Sequence, residues 1–265
     1  MNFGFTEEQE MLRDQVRRFM QADCSIDKVR AMAASGGFDA DLWKQVADLG
    51  WLGLITPEAN GGLGLRWVDL TVVLEETGRG LSPLPITSQM LSATAILRCG
   101  SEAQKANWLP AMASGEAICS LALYDEPNWI HPDAITLTAT MDGDSLVING
   151  EKPFVPDAAC ADYLLLACHT PDGMGLAALS RDQVTITAQP SMDMTKPMAK
   201  VTLENVRITS DYFLPLSADD LTCLTDCGAV AVTAEMVGAA EAALAMTSDY
   251  AIERIQFGKP IGQYQ

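Results

Sequence analysis

Positive charge is scarce in this sequence. Its 265 residues carry 17 Lys and Arg against 35 Asp and Glu, a net charge of −18. A nucleic-acid or anionic-membrane surface needs clustered cations, so overall charge argues against both. An anionic small ligand is compatible if a local cationic or helix N-terminal site receives it. Histidine is limited to 2 residues and aromatics to 6%. No continuous run of about 18 apolar residues stands out, so no membrane span is predicted. The start, MNFGFTEEQEMLRDQ, is acidic and amphipathic, unlike a signal or transit peptide. Cysteines 24, 99, 119, 160, 168, 223 and 227 are odd in number and scattered. That pattern points to free buried thiols in a reducing cytoplasm. Cys223 and Cys227 share a helix face, and Cys168-His169 adjoins a strand, but neither has a second ligand pair at zinc-finger spacing.

What is present is a core-sized apolar content, 48%, in a three-part order. Residues 1–116 read as an all-α region. Thr6 and Gln9 have capping-box spacing, and Leu12, Val16, Phe19 and Met20 follow at the helical period. Further helices are predicted over 40–49, 66–80, 87–97 and 104–113. PEANGGLGL at 57–65 reads as a tight turn between helices, since no strand precedes it as a nucleotide fingerprint requires. Residues 117–215 read as an antiparallel β region, a barrel or sandwich. Strands are expected at 146–148, 163–167, 184–188 and 201–208, with Asn149-Gly150 as a hairpin turn. Residues 216–265 read as the start of a helical bundle. A helix of about 28 residues would carry Val232, Met236, Ala239, Ala240, Ala243, Thr247 and Ala251 on or beside its apolar stripe. The fold class is thus α+β, and the third region reads as unfinished, because so long a helix wants neighbours on more than one side.

Six stretches carry a family resemblance: FTEEQEMLRDQVRRF, GWLGLITPEANGGLGL, EETGRGLSPLP, LALYDEP, INGEKPFVPDAACADYLLLA and YAIERIQFGKPIGQYQ. In this order they make the whole chain resemble the acyl-CoA dehydrogenase family, and FVPDA is similar to one bacterial branch of it. The resemblance implies FAD between the β region and the C-terminal helices. It implies a carboxylate that takes the α-proton of an acyl-CoA thioester, hydride transfer to flavin N5, and electron-transfer flavoprotein as acceptor. It also implies lipid or fatty-acid degradation, a cytoplasmic location, and a homo- or hetero-oligomer built as a dimer of dimers. By resemblance, Ala122, Leu123, Tyr124 and Asp125 line the flavin, as do Phe154, Val155 and Pro156. Arg254, Gln256, Phe257, Tyr264 and Gln265 would reach the FAD of a neighbouring subunit. Without the resemblance, Arg254 reads as a solvated cation at a helix end. His131 and Asp226 would face the thioester and CoA, with a surface turn before Pro132 as the alternative for His131.

The sequence departs from the family pattern in three places. Asp125 stands where a Thr hydroxyl meets the flavin, and a carboxylate there should lower its potential or weaken binding unless protonated or turned away. Pro156 stands where a Ser or Thr donates toward N5, and Pro has no donor. Gly228 stands where some relatives carry a catalytic Glu, and Ala229 replaces an Arg. No catalytic base is assignable, and the base is expected beyond residue 265. Glu235 and Glu241 are expected to serve helix packing or a partner contact. Two readings follow: a dehydrogenase whose base lies further on, or a non-catalytic, half-site partner subunit. A non-enzymatic acyl-CoA-binding module is a third, and an oxidase is not distinguished from a dehydrogenase. The chain made alone is expected to be poorly soluble or weakly flavinated.

Overall fold

The computed structural model describes residues 4–125 and 131–264. Six helices come first: α1 (Glu7–Asp23), α2 (Ile26–Ser35), α3 (Ala40–Asp48), α4 (Trp67–Arg79), α5 (Ile86–Cys99) and α6 (Glu102–Ala113). The capping box of α1 forms as expected: the Gln9 N–H donates to Thr6 Oγ1 at 3.2 Å, and the Thr6 N–H donates to Gln9 Oε1 at 2.9 Å. Val16 and Met20 are buried behind it, with Leu12 and Phe19 packed at the core edge. The sequence reading omitted α2, whose ten residues begin at a Ser25 cap and bury only Val29 and Met32. The 57–65 loop is the tight turn expected. A Cβ on Gly62 would lie 2.1 Å from the Thr56 carbonyl oxygen, so only Gly fits that close approach.

The sheet comprises β1 (Cys119–Ala122), β2 (Thr138–Asp142), β3 (Ser145–Pro156), β4 (Tyr163–Thr170), β5 (Gly173–Ser180), β6 (Thr185–Gln189), β7 (Met198–Ile208) and β8 (Phe213–Pro215). Seven strands follow the order β6-β7-β3-β2-β4-β5-β8, with β1 beside β4. This corrects the expected barrel: the path runs from β6 to β8 without closing. Nor is it wholly antiparallel, because β1 runs parallel to β4 and β2 meets β4 in one parallel pair. Asn149-Gly150 is not a hairpin turn either. It lies inside β3 at a register shift against β7, where Gly150 takes φ 140° and Asn149 Oδ1 accepts the Asn205 N–H. A β-bulge uses the same turn-prone residues, which explains the misreading. The hairpin falls at Gly143-Asp144, between β2 and β3.

Helix α7 (Ala218–Glu253) runs 36 residues, longer than expected, and is followed by a two-stranded hairpin, β9 (Ile255–Gln256) and β10 (Lys259–Pro260). Its buried face is Leu221, Leu224, Ala231 and Gly238, whereas Val232 and Met236 of the expected stripe are exposed. Small residues make the contact because the backbones nearly touch. A Cβ on Gly238 would lie 1.8 Å from the Glu75 carbonyl oxygen, and one on Gly78 2.2 Å from that of Glu235. Charge pairs flank the crossing: Arg79 with Glu241 at 2.6 Å, and Lys196 with Glu235 at 2.9 Å. Glu235 and Glu241 therefore pack the helix, as expected. One correction concerns membranes: α7 is long and apolar enough in composition to cross one, a property spread through Ala, Val and Gly rather than one unbroken run.

Candidate functional site

The motif residues gather where the ends of β1 and β3 meet α5 and the first half of α7. Ser120 Oγ donates to the Pro156 carbonyl at 2.5 Å, holding the two strand ends together. The Tyr124 hydroxyl pairs with Thr225 Oγ1 at 2.7 Å, fixing the β1 exit against α7. Ser88 of α5 donates to Asp157 at 2.5 Å, and Thr87 donates to Glu235 of α7 at 2.8 Å. Burial raises the Asp157 carboxyl to about 6; Ser88 and Lys196 oppose that rise and Glu235 adds to it.

Within this frame the candidate residues divide. Ala122 and Val155 point into the core, 5% and 0% exposed, so only their backbone can meet a ligand. Leu123 and Tyr124 are half-buried. Phe154 is 46% exposed and takes φ 55°, a left-handed conformation costly for an aromatic residue. Its N–H donates to Gln189 Oε1 at 2.7 Å, which helps hold it there. Pro156 pairs with Met198 at the end of the β3–β7 ladder.

Asp125 does not face outward. Its Oδ1 lies 2.8 Å from Nζ of Lys152, a side chain 0% exposed. That is a charge contact rather than a directed hydrogen bond. Its Oδ2 accepts the N–H groups of Thr136 at 2.5 Å and Leu137 at 3.0 Å. The carboxylate is turned away, one of the two arrangements that relieve the penalty expected beside a reduced flavin. Lys152 also donates to the carbonyls of Leu123 at 3.0 Å and Ala167 at 2.7 Å. Burial pulls the Lys152 pKa down, while Asp125 works to keep it charged. The sequence reading assigned Lys152 no role. Its only sequence signal is a cation at a core-facing position of β3.

His131 caps a short turn, its Nδ1 accepting the Asp133 N–H at 3.2 Å, which favours the surface-turn alternative. Asp226 is exposed on the rim of a groove of about 420 Å³ between Trp67 and α7, lined also by Thr222, Cys223, Cys227 and Val230. Among the described residues, no group of three or more His, Cys, Asp or Glu is placed to hold a metal. A Cβ on Gly228 would meet nothing nearer than Leu91 Cδ1 at 3.9 Å, so the α5–α7 cleft is open at that point.

The second set lies far away. Arg254 ends α7, and Phe257, with φ 46°, projects from the hairpin tip 94% exposed. The Tyr264 hydroxyl donates to the Gln256 carbonyl at 2.8 Å and Lys259 stacks on its ring, shaping the hairpin. Gln265 lies outside the described residues. Thr225 and Arg254 are about eight turns apart, on the order of 44 Å at helical rise. The structure therefore does not bring the two sets together within one chain.

Residues 6–116 match the family described as acyl-CoA dehydrogenase, N-terminal domain. The probable acyl-CoA dehydrogenase YngJ of Bacillus subtilis is 31% identical across 100% of this chain and 74% of its own length. Acyl-CoA dehydrogenase IpdE2 of Mycolicibacterium smegmatis is 31% identical over 98% of this chain and 70% of its own. Among solved structures, the ChsE4-ChsE5 complex of Mycobacterium tuberculosis aligns with TM-score 0.91 at 26% identity, covering 100% of this chain and 72% of that one. A glutaryl-CoA dehydrogenase of Mycobacterium smegmatis in complex with FADH2 aligns with TM-score 0.88 at 25% identity, covering 98% and 69%.

Proposed function

The chain belongs to the acyl-CoA dehydrogenase family of oxidoreductases, and from that premise we propose that it works with FAD in the α,β-desaturation of an acyl-CoA thioester. Bound FAD would supply the hydride acceptor. This chain's own groups fit a dinucleotide. The Arg254 guanidinium forks well onto pyrophosphate oxygens, and the exposed Gln256 amide and Phe257 ring add a polar and an apolar contact. At the strand ends, the Phe154 ring offers an aromatic face. Tyr124, tied to Thr225, fixes the β1 exit against α7.

The separation of the two residue sets along α7 carries the reading. A span of about 44 Å is far beyond one dinucleotide, so the hairpin serves the FAD of another copy while the strand ends serve the chain's own. An oligomer is then a requirement of the site. Asp125, Asp157 and Glu235, the carboxylates nearest the strand ends, are each engaged by Lys152, Ser88 or Lys196. Proton abstraction is therefore assigned to none of these three. The solved structures that align with this chain include one described as the electron transferring flavoprotein of Acidaminococcus fermentans, which supports an electron-transfer flavoprotein as partner; a cytoplasmic location is part of the same proposal.

The test is a titration of the purified chain with FAD, following flavin fluorescence and mass in solution together. Binding should strengthen with chain concentration as copies associate, and Arg254→Ala should weaken it by about ten-fold. FAD binding that is unaffected by Arg254→Ala and independent of association would overturn the shared-site reading.

One observation favours the partner-subunit reading: Pro156 offers no donor, and Asp125 no hydroxyl, where a flavin would want them. The two-component ChsE4-ChsE5 relative gives that reading a precedent in assembly. Co-purification with a second, different chain of the same fold supports it, and a homo-oligomer that turns over acyl-CoA counts against it.

A further inference from the structure

The most deeply buried cation in the described chain sits one layer behind the candidate flavin wall. The Lys152 side chain is 0% exposed, although a lysine is almost never fully buried unless paired. Its ammonium donates to the Leu123 carbonyl at 3.0 Å and the Ala167 carbonyl at 2.7 Å, and lies 2.8 Å from Asp125 Oδ1 as a charge contact. Leu123 and Asp125 belong to the β1 exit and Ala167 to the neighbouring strand, so one side chain ties the exit to β4.

Asp125 continues the connection. Its N–H donates to the Ala134 carbonyl at 2.9 Å, while Oδ2 accepts from Thr136 and Leu137. The carboxylate and the backbone N–H therefore tie Asp125 to Ala134, Thr136 and Leu137, which lead into β2. Tyr124, between the two tethered residues, is the one whose hydroxyl reaches α7.

We infer that Lys152 and Asp125 form a buried clasp that positions the 122–125 turn, and through it the wall presented to the flavin; this rests on the FAD reading above. Asp125 turns its side chain inward, and what the pair sets is the backbone of the wall. Lys152 and Asp125 are positioning residues: they act through Leu123 and Tyr124 and do not touch the cofactor.

The decisive variant is the double substitution Lys152→Met with Asp125→Asn. Removing one partner of a buried pair leaves an uncompensated charge and strongly destabilises the chain, whereas removing both charges leaves none. The Asn oxygen can still accept from Thr136 and Leu137. The parent and the double variant are compared by urea unfolding without FAD, by hydrogen exchange over 119–137, and by FAD titration read through affinity and the visible flavin spectrum. The expected result is a double variant that folds, exchanges faster over 122–125 and 131–137, binds FAD more weakly by about ten-fold or more, and shows a shifted flavin band. A folded double variant that matches the parent in FAD affinity and spectrum overturns the inference alone. So does one that cannot fold, because the pair is then an element of the fold and not of the site. A parent that takes no FAD overturns the cofactor reading and this inference with it.

Discussion

Asp157 is buried, in a left-handed backbone conformation with φ 53°, just past the end of β3 where it meets Ser88 of α5. Burial raises its carboxyl from an ordinary 3.8 to about 6. A carboxyl raised on folding contributes stability that is fully present below the unfolded value and is lost as pH rises through the folded one. Asp157→Asn removes that dependence and keeps an acceptor for Ser88. The advantage of the Asn variant over the parent should grow by about 2 kcal/mol between pH 4.5 and 7.5. Urea unfolding of both proteins at the two pH values reads this difference. The depressed carboxyls of Asp39, Asp69 and Asp220 are common to both and cancel. A gap independent of pH would show that Asp157 does not titrate in this range. The sequence made the FVPDA stretch visible but not this residue, because its environment comes from Ser88, 69 positions earlier. Lys152 was hidden for the same reason: its partners lie in two other segments, the β1 exit and β4. Asp125 was legible as an anomaly, and its inward turn required the fold.

Elements defined by local chemistry were the readable ones. The Thr6 capping box, the helices α3 to α6 and the strands β4, β6 and β7 follow from caps and periodicity, which are properties of neighbours in the chain. The face that α7 buries is a property of its partner, and hydropathy pointed to the wrong side. Val232 and Met236 carry the apolar signal, while Ala231 and Gly238 make the contact because α4 approaches too closely for anything larger. Two substitutions separate these ideas. A Gly→Ala change within a helix ordinarily stabilises it by up to about 1 kcal/mol. Gly228→Ala should behave so, since its Cβ meets nothing nearer than 3.9 Å. Gly238→Ala should do the reverse and cost more than about 3 kcal/mol, because its Cβ would lie 1.8 Å from a backbone oxygen that cannot move alone. Thermal or urea unfolding of the pair checks both signs. If Gly238→Ala is neutral, α7 does not cross α4 at this residue.

At the scale of the whole molecule, two surface properties oppose each other. From Val232 onward, α7 and its hairpin expose Val232, Met236, Leu244, Met246, Tyr250, Ile252, Ile255 and Phe257, a concentration of apolar side chains that marks an interaction surface. The net charge of −18 keeps copies apart. The sequence showed both, but it could not show that docking on α4 leaves this stretch uncovered. Salt weakens only the second property. The screening length falls from about 10 Å at 0.1 M to about 3 Å at 1 M, while apolar attraction persists. Self-association should therefore increase with salt, the mass by light scattering rising above the 28.4 kDa of one chain as sodium chloride goes from 0.1 M to 1 M, both being about the limits of that range. Leu244→Glu with Met246→Glu adds charge to the exposed face without touching the buried Leu221, Leu224, Ala231 and Gly238. That variant should stay at the single-chain mass across the range, with unfolding unchanged. A parent whose mass is the same at both salts, or a variant that associates as the parent does, would mean that α7 is not where the copies meet, and the shared-site arrangement would lose its physical basis.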